Sequence, residues 1–399
     1  MAGTYDYVIV GAGSAGCVLA NRLTADGRST VLLLEAGPRD TDPWIHIPLG
    51  YGKLFARRDI NWAYESEPEP NLNGRRIFTP RGKVLGGSSS INGLVYIRGQ
   101  PEDFDAWEVP GWSHVELLPY FKKSQVGISN LERHELADAF IASAQSLGIP
   151  ANADFNGERQ EGTGYFQATM RNGRRSSTAV EYLRPAQKRP NLKVETSALA
   201  ERILFEGKKA VGIRYRQGER QVQVRARLEV ILSGGSFNSP QLLQLSGVGP
   251  GALLQEHGIP VVHDAPDVGE CLQDHFYCRT FWRANKPITL NDDMLSLWRK
   301  AKIGLDYALF RRGPLTISAG QGAAFVRTRP ELRRPDAQLY FINFSTAKRG
   351  GVLHPWSGFT LSVWQLEVGW KTVSPVSRTT ARSSSSVCTA APGNSSLTM

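Results

Sequence analysis

The chain has 399 residues, of which 41% are hydrophobic and 21% charged, with 40 glycines and 23 prolines. These proportions exclude a collagen-like or wholly low-complexity chain and predict a globular protein of two or three domains, at ~100 to 200 residues each. The formal net charge is +10, but the basic residues fall in short scattered runs such as Arg57-Arg58 and Arg174-Arg175, so the one-faced stripe that tracks nucleic-acid phosphates is missing and no nucleic acid is expected.

No run approaches the ~20 apolar residues that cross a bilayer, so no membrane span is expected. The first apolar run begins at Tyr7 without the charged flank of a secretory signal. Cys17, Cys271, Cys278 and Cys388 form no C-x-x-C pair. A reducing, cytoplasmic location is therefore expected, and no metal site is assigned.

In chain order, Asp6 to Gly37 reads as one βαβ unit. Tyr7 to Val10 and Val31 to Leu34 are continuous apolar runs suited to a parallel sheet buried on both faces. Between them Ala15, Val18, Leu19, Ala20 and Leu23 keep a helical spacing that Gly27 ends. Pro38 to Arg81 lacks a period and is expected to be loop. From Arg81 to Gly99 small residues are so dense that something other than protein is expected to fill the space beside them. Phe104 to Leu147 is predicted mostly helical, with Ala137, Phe140, Ile141, Ala144 and Leu147 on one apolar face. Strands are predicted over Leu192 to Tyr215, Gln221 to Ser233, Ala337 to Phe344 and Gly358 to Leu366. A second glycine turn, Ser233 to Gly235, leads into a helix through Gln241 to Leu245. Of the 33 residues from Glu367 to Met399, 13 are Ser or Thr; this tail is predicted disordered.

The turn Gly11-Ala12-Gly13-Ser14-Ala15-Gly16 follows a strand, opens a helix, and has Glu35 nineteen residues beyond Gly16. Gly11 suits the tight turn, Gly13 admits a pyrophosphate to the backbone, and Gly16 allows close helix packing. The helix start at Ser14 and Ala15 offers free N–H groups and a favourable dipole. Glu35 is placed to accept from ribose hydroxyls and disfavours a 2′-phosphate. The fingerprint alone leaves NAD and FAD open. The second glycine-rich segment, Gly82 to Gly93, offers backbone donors and small hydroxyls beside which a flat ring could lie, which favours FAD.

Together, Gly11 to Gly16 with Glu35-Ala36-Gly37, the run Gly82 to Gly93, and the run Gly235 to Gly249 resemble the glucose–methanol–choline (GMC) flavin oxidoreductases, in the choline and alcohol dehydrogenase branch. Asp267 to His275 is similar to a further family segment, with Cys271 where Asn is usual. The resemblance implies an α/β fold: a Rossmann-like FAD-binding domain (1–120 and 190–275) interleaved with an α+β substrate domain on an antiparallel sheet (121–189 and 276–366). It implies that Gly11, Gly13, Ser14, Ala15 and Gly16 hold the pyrophosphate, Glu35 and Ala36 the ribose, and Ala200 the adenine. Val84, Gly87, Ser88, Asn92, Gly93, Leu94 and Val95 would line the flavin. The implied reaction takes a proton from an alcohol hydroxyl and hydride from its carbon, and the implied partner is a small alcohol.

Two departures accompany the resemblance. The stretch Phe121 to Leu136 is shorter than usual, and the family's C-terminal section, with its catalytic His and partner, has no counterpart. The expectation is a truncated or frameshifted product, either still an alcohol-oxidising enzyme or a remnant that binds FAD weakly. Spacing places none of the seven histidines as the base, and no catalytic residue is assigned. The strands Ala337 to Phe344 and Gly358 to Leu366 are expected to lack neighbours, which would leave the protein prone to aggregation.

Overall fold

The computed structural model describes residues 3–347 and 351–366; the predicted disordered tail lies outside them. Eleven strands build two main sheets: β1 (Thr4–Val10), β2 (Val31–Leu34), β3 (Gly162–Tyr165), β4 (Leu192–Glu195), β5 (Ala198–Glu206), β6 (Lys209–Gln217), β7 (Arg220–Leu232), β8 (Tyr277–Arg283), β9 (Gly322–Val326), β10 (Ala337–Ile342) and β11 (Gly358–Gln365). The helices that matter below are α1 (Ser14–Leu23), α2 (Glu135–Ser146), α3 (Gly235–Leu245) and α4 (Leu297–Phe310).

The first sheet has the order β4-β2-β1-β7-β6-β5. Its first four strands are parallel, with Val8 opposite Leu32 on one side and Val230 on the other. β6 and β5 extend it antiparallel. The apolar runs of β1 and β2 are continuous because both faces are covered. Ile9, Val31 and Leu33 pack against Cys17 and Ala20 of α1, whereas Val8, Val10, Leu32 and Leu34 pack with Ile213 and with Leu242 of α3. Each such buried side chain contributes about 1.5 to 3 kcal/mol.

The second sheet, β8-β11-β10-β9-β3, is antiparallel throughout. One side buries Phe155, Phe166, Ala323 and Phe325 with Tyr51 and Leu94. α2 also packs on this sheet, where the Phe140 ring lies 5.8 Å from that of Phe341. Because β3 comes between β2 and β4 in sequence, the chain runs from the first sheet to the second, back, and out again.

Three expectations need correction. The stretch Phe104 to Leu147, predicted mostly helical, is helical only in the helices Pro101–Asp105, His114–Lys122 and α2, with loop and a two-residue strand, Ser129–Asn130, between them. Leu147, at 82% exposure, leaves the apolar face because it caps α2 instead of continuing it. Pro38 to Arg81 contains short helical turns, Pro43–His46 and Tyr51–Leu54, and a small strand pair, Tyr64–Glu65 with Phe78–Thr79. Finally, β10 and β11 are paired on both sides; the outer position of the sheet falls to β8, whose Phe281 and Trp282 are exposed.

Candidate nucleotide-binding site

β1 delivers the chain to Gly11, whose N–H donates to Leu34 O at 2.8 Å and whose φ of 96° suits glycine. A Cβ at Gly16 would lie 1.9 Å from Gly11 O, so the start of α1 sits directly on the turn. Gly13 caps α1, no side chain satisfies the first turn, and Ser14 and Ala15 are exposed there. Unsatisfied N–H groups and the positive end of the helix dipole thus face outward together, as an anionic pyrophosphate requires.

Glu35 follows β2 and is buried. Its Oε2 accepts from Ala12 N and its Oε1 from Gly37 N, both at 2.9 Å. A carboxylate has further acceptor positions, so these bonds hold the group in place and still leave room for a hydroxyl. Ala36 comes next, and Ala198 N donates to Glu35 O at 2.8 Å, which sets Ala200 two residues further along β5.

Burial raises the Glu35 pKa to about 7, from an ordinary value of 4.5. The folded protein therefore holds a proton that the unfolded chain has released, and stability falls as pH rises from about 4.5 to about 7. The full change is on the order of 3 kcal/mol. In urea unfolding of the ligand-free protein, Glu35→Gln is expected to remove this slope. An identical pH profile in the variant would show that Glu35 does not carry it.

The second glycine-rich segment folds onto the first. Gly86 N donates to Ala12 O at 2.7 Å, and a Cβ at Gly87 would stand 2.7 Å from Gly13 Cα. A Cβ at Gly82 would meet the Gly87 carbonyl at 2.2 Å, and one at Gly37 would meet Lys83 O at 1.8 Å. Much of the space beside these small residues is therefore filled by backbone, a correction to the sequence expectation. Val84 is buried with Ile45, Leu54, Ile60 and Ile91. Ser88 Oγ accepts from Gly82 N at 3.1 Å. Gly93 O and Leu94 O accept from Ala319 N and Thr169 N, each at 2.8 Å, and Val95 pairs with Ala168.

Sequence reasoning missed Arg175. It is 2% exposed, and its guanidinium donates to Ile45 O, Ser89 O, Asn92 Oδ1 and Asn92 O at 2.7 to 3.1 Å. No carboxylate is among these partners. Burial draws its pKa down to about 9, which leaves it charged at neutral pH. Burial pushes the Cys17 thiol up to about 12, so it is inert. The histidines with side-chain partners serve elsewhere: His46 Nε2 lies 2.7 Å from Asp40 O, His134 caps α2, His275 Nδ1 lies 3.4 Å from Gln365 O, and His354 Nδ1 lies 3.0 Å from Ser345 Oγ.

A sheet covered on both faces, a glycine turn leading into α1 and a carboxylate at the end of β2 define a dinucleotide-binding protein. Residues 5–277 match the GMC oxidoreductase family, and the chain belongs to it. It is 42% identical to an alcohol dehydrogenase [acceptor] of Pseudomonas putida, covering 93% of this chain and 72% of that one. It is also 42% identical to an oxygen-dependent choline dehydrogenase of Brucella anthropi, covering 84% of this chain and 64% of the relative. The chain thus spans about two-thirds of the length of these relatives. Among solved structures, a formate oxidase of Aspergillus oryzae, described for its FAD modification, superposes with a TM-score of 0.81 at 25% identity, covering 91% of this chain and 73% of that one.

Proposed function

We propose that the chain binds FAD and belongs to an enzyme that oxidises a primary or choline-like alcohol to the aldehyde. The observation that carries this reading is the meeting of the two glycine-rich segments, with Gly86 N on Ala12 O at 2.7 Å. It brings the exposed first turn of α1 beside the loop from Gly87 to Val95. Gly11, Gly13, Ser14, Ala15 and Gly16 would hold the pyrophosphate, and Glu35 and Ala36 the ribose, with Ala200 near the adenine. Val84, Gly87, Ser88, Asn92, Gly93, Leu94 and Val95 would border the flavin. We divide the chain accordingly into an FAD-binding part (1–120 and 190–275) and a substrate part (121–189 and 276–366).

Bound FAD would supply the two-electron acceptor for a hydride from the alcohol carbon, and the hydroxyl proton would pass to solvent or to a base, for which no residue of this chain is assigned. The protein's share is position: the Asn92 and Gly93 carbonyls and the Leu94 backbone are fixed by Arg175, Ala319 and Thr169, so the loop meets its ligand already ordered.

The test is the visible spectrum of the purified chain, followed by anaerobic addition of choline or simple primary alcohols. A flavin band is the expected result, and its bleaching would show that a base for the hydroxyl proton lies among these residues. A band that persists would restrict this chain to FAD binding, and a colourless protein would overturn the proposal.

A further inference from the structure

α4 is amphipathic with its apolar face turned outward. At 3.6 residues per turn, Ile303 and Tyr307 share one side and are buried against the protein. On the opposite side stand Leu297, Trp298, Ala301, Leu305, Ala308 and Leu309, all exposed. The large ones are far out: Leu297 is 81% exposed, Trp298 79%, Leu305 59% and Leu309 63%. Single exposed apolar residues are ordinary, but a contiguous stripe along ~20 Å of helix marks an interaction surface.

The charge around the stripe selects the partner. From Leu297 to Arg312 the chain carries Arg299, Lys300, Lys302, Arg311 and Arg312 against a single acid, Asp306. Arg299 reaches Asp293 at 3.5 Å, and the Arg311 and Arg312 guanidinium groups lie over the Tyr307 and Phe310 rings. Lys300 and Lys302 flank the stripe on its two borders. A twofold pairing of this face with a second copy would set these cationic borders close together. An anionic lipid surface meets both features, taking the leucines and the tryptophan below its headgroups and the lysines at their level. The net charge of +10 acts in the same direction.

We propose that α4 is an interfacial helix that rests the protein on an anionic membrane without crossing it. Among the described residues no helix is long and apolar enough to span a bilayer, so the contact is peripheral.

The experiment is sedimentation of the full 399-residue chain with vesicles of phosphatidylglycerol and phosphatidylcholine, compared with phosphatidylcholine alone. Binding is expected only to the anionic vesicles, and to weaken as salt is raised from ~0.1 M to ~1 M, where the screening length drops to ~3 Å. Lys300→Gln with Lys302→Gln should lower the partition coefficient about 25-fold, from roughly fivefold per charge. Trp298→Ser with Leu305→Ser and Leu309→Ser should lower it at least tenfold, with circular dichroism and thermal unfolding unchanged because these side chains face solvent. Equal binding to neutral vesicles would overturn the proposal, as would binding that survives the triple substitution. It would also be overturned by a dimer that the triple substitution dissociates, with no vesicle binding in the parent.

Discussion

Replacing Gly16 with alanine is expected to cost about 4 kcal/mol or more of folding stability and to remove bound flavin. The added methyl carbon would stand 1.9 Å from Gly11 O and 2.8 Å from Ser233 Oγ, and the first of these neighbours is backbone. That backbone has little freedom to yield. Gly11 O accepts from Ser233 Oγ at 2.8 Å, Gly11 N donates to Leu34 O, and Ser233 N donates to Val10 O. The ends of β1, β2 and β7 are thus tied together at the point where α1 begins. Relief requires α1 to lift away, which separates its N-terminal turn from the loop at Gly86 and Gly87.

The matched control is Gly304→Ala, in α4, where an added Cβ would meet nothing within 4 Å. There the substitution should leave stability unchanged or raise it by up to about 1 kcal/mol, as alanine is the better helix former. Urea unfolding and the flavin content of the purified proteins measure both effects. If Gly16→Ala unfolds within about 1 kcal/mol of the parent and stays yellow, the close packing of α1 on the turn is not what holds the site.

The βαβ unit was legible because its physics is local. Four consecutive apolar residues on each of two strands, a glycine turn and a carboxylate at the end of the second strand are read from neighbours in sequence. β10 and β11 were likewise visible from alternation. β3 was not, because Gly162-Thr163-Gly164-Tyr165 offers too few side chains to show a period. The contact between the two glycine-rich segments was also invisible, since Gly86 N to Ala12 O joins residues more than seventy positions apart. Arg175 illustrates the remaining difficulty. With Arg174 it reads as a short basic run, yet the two sit in a two-residue strand whose successive side chains point to opposite faces, so one is exposed and the other buried. Composition does not say which of two neighbouring arginines turns inward.

That inward arginine carries the second large expected effect. Arg175→Met should cost about 4 kcal/mol, because it leaves Ile45 O, Ser89 O, Asn92 O and Asn92 Oδ1 without their donor in a water-poor interior, at ~1 to 3 kcal/mol for each group left unsatisfied. The total stays below the sum since Asn92 Oδ1 keeps Leu94 N, at 3.2 Å, and water can enter the space vacated. Arg175→Lys keeps the charge but loses the planar fork that reaches several carbonyls at once, so it should recover only part of the loss. The loss should fall unevenly on the molecule. β1, β2 and α1 contain none of the four acceptors, whereas Ser89 and Asn92 lie in the second glycine-rich segment, so flavin retention should suffer more than secondary structure. A double-mutant cycle with Asn92→Ala separates the two contributions and is expected to return a coupling of about 1 to 3 kcal/mol. If Arg175→Met keeps its flavin and its unfolding free energy, or couples to Asn92 by less than about 0.5 kcal/mol, the guanidinium does not order this loop.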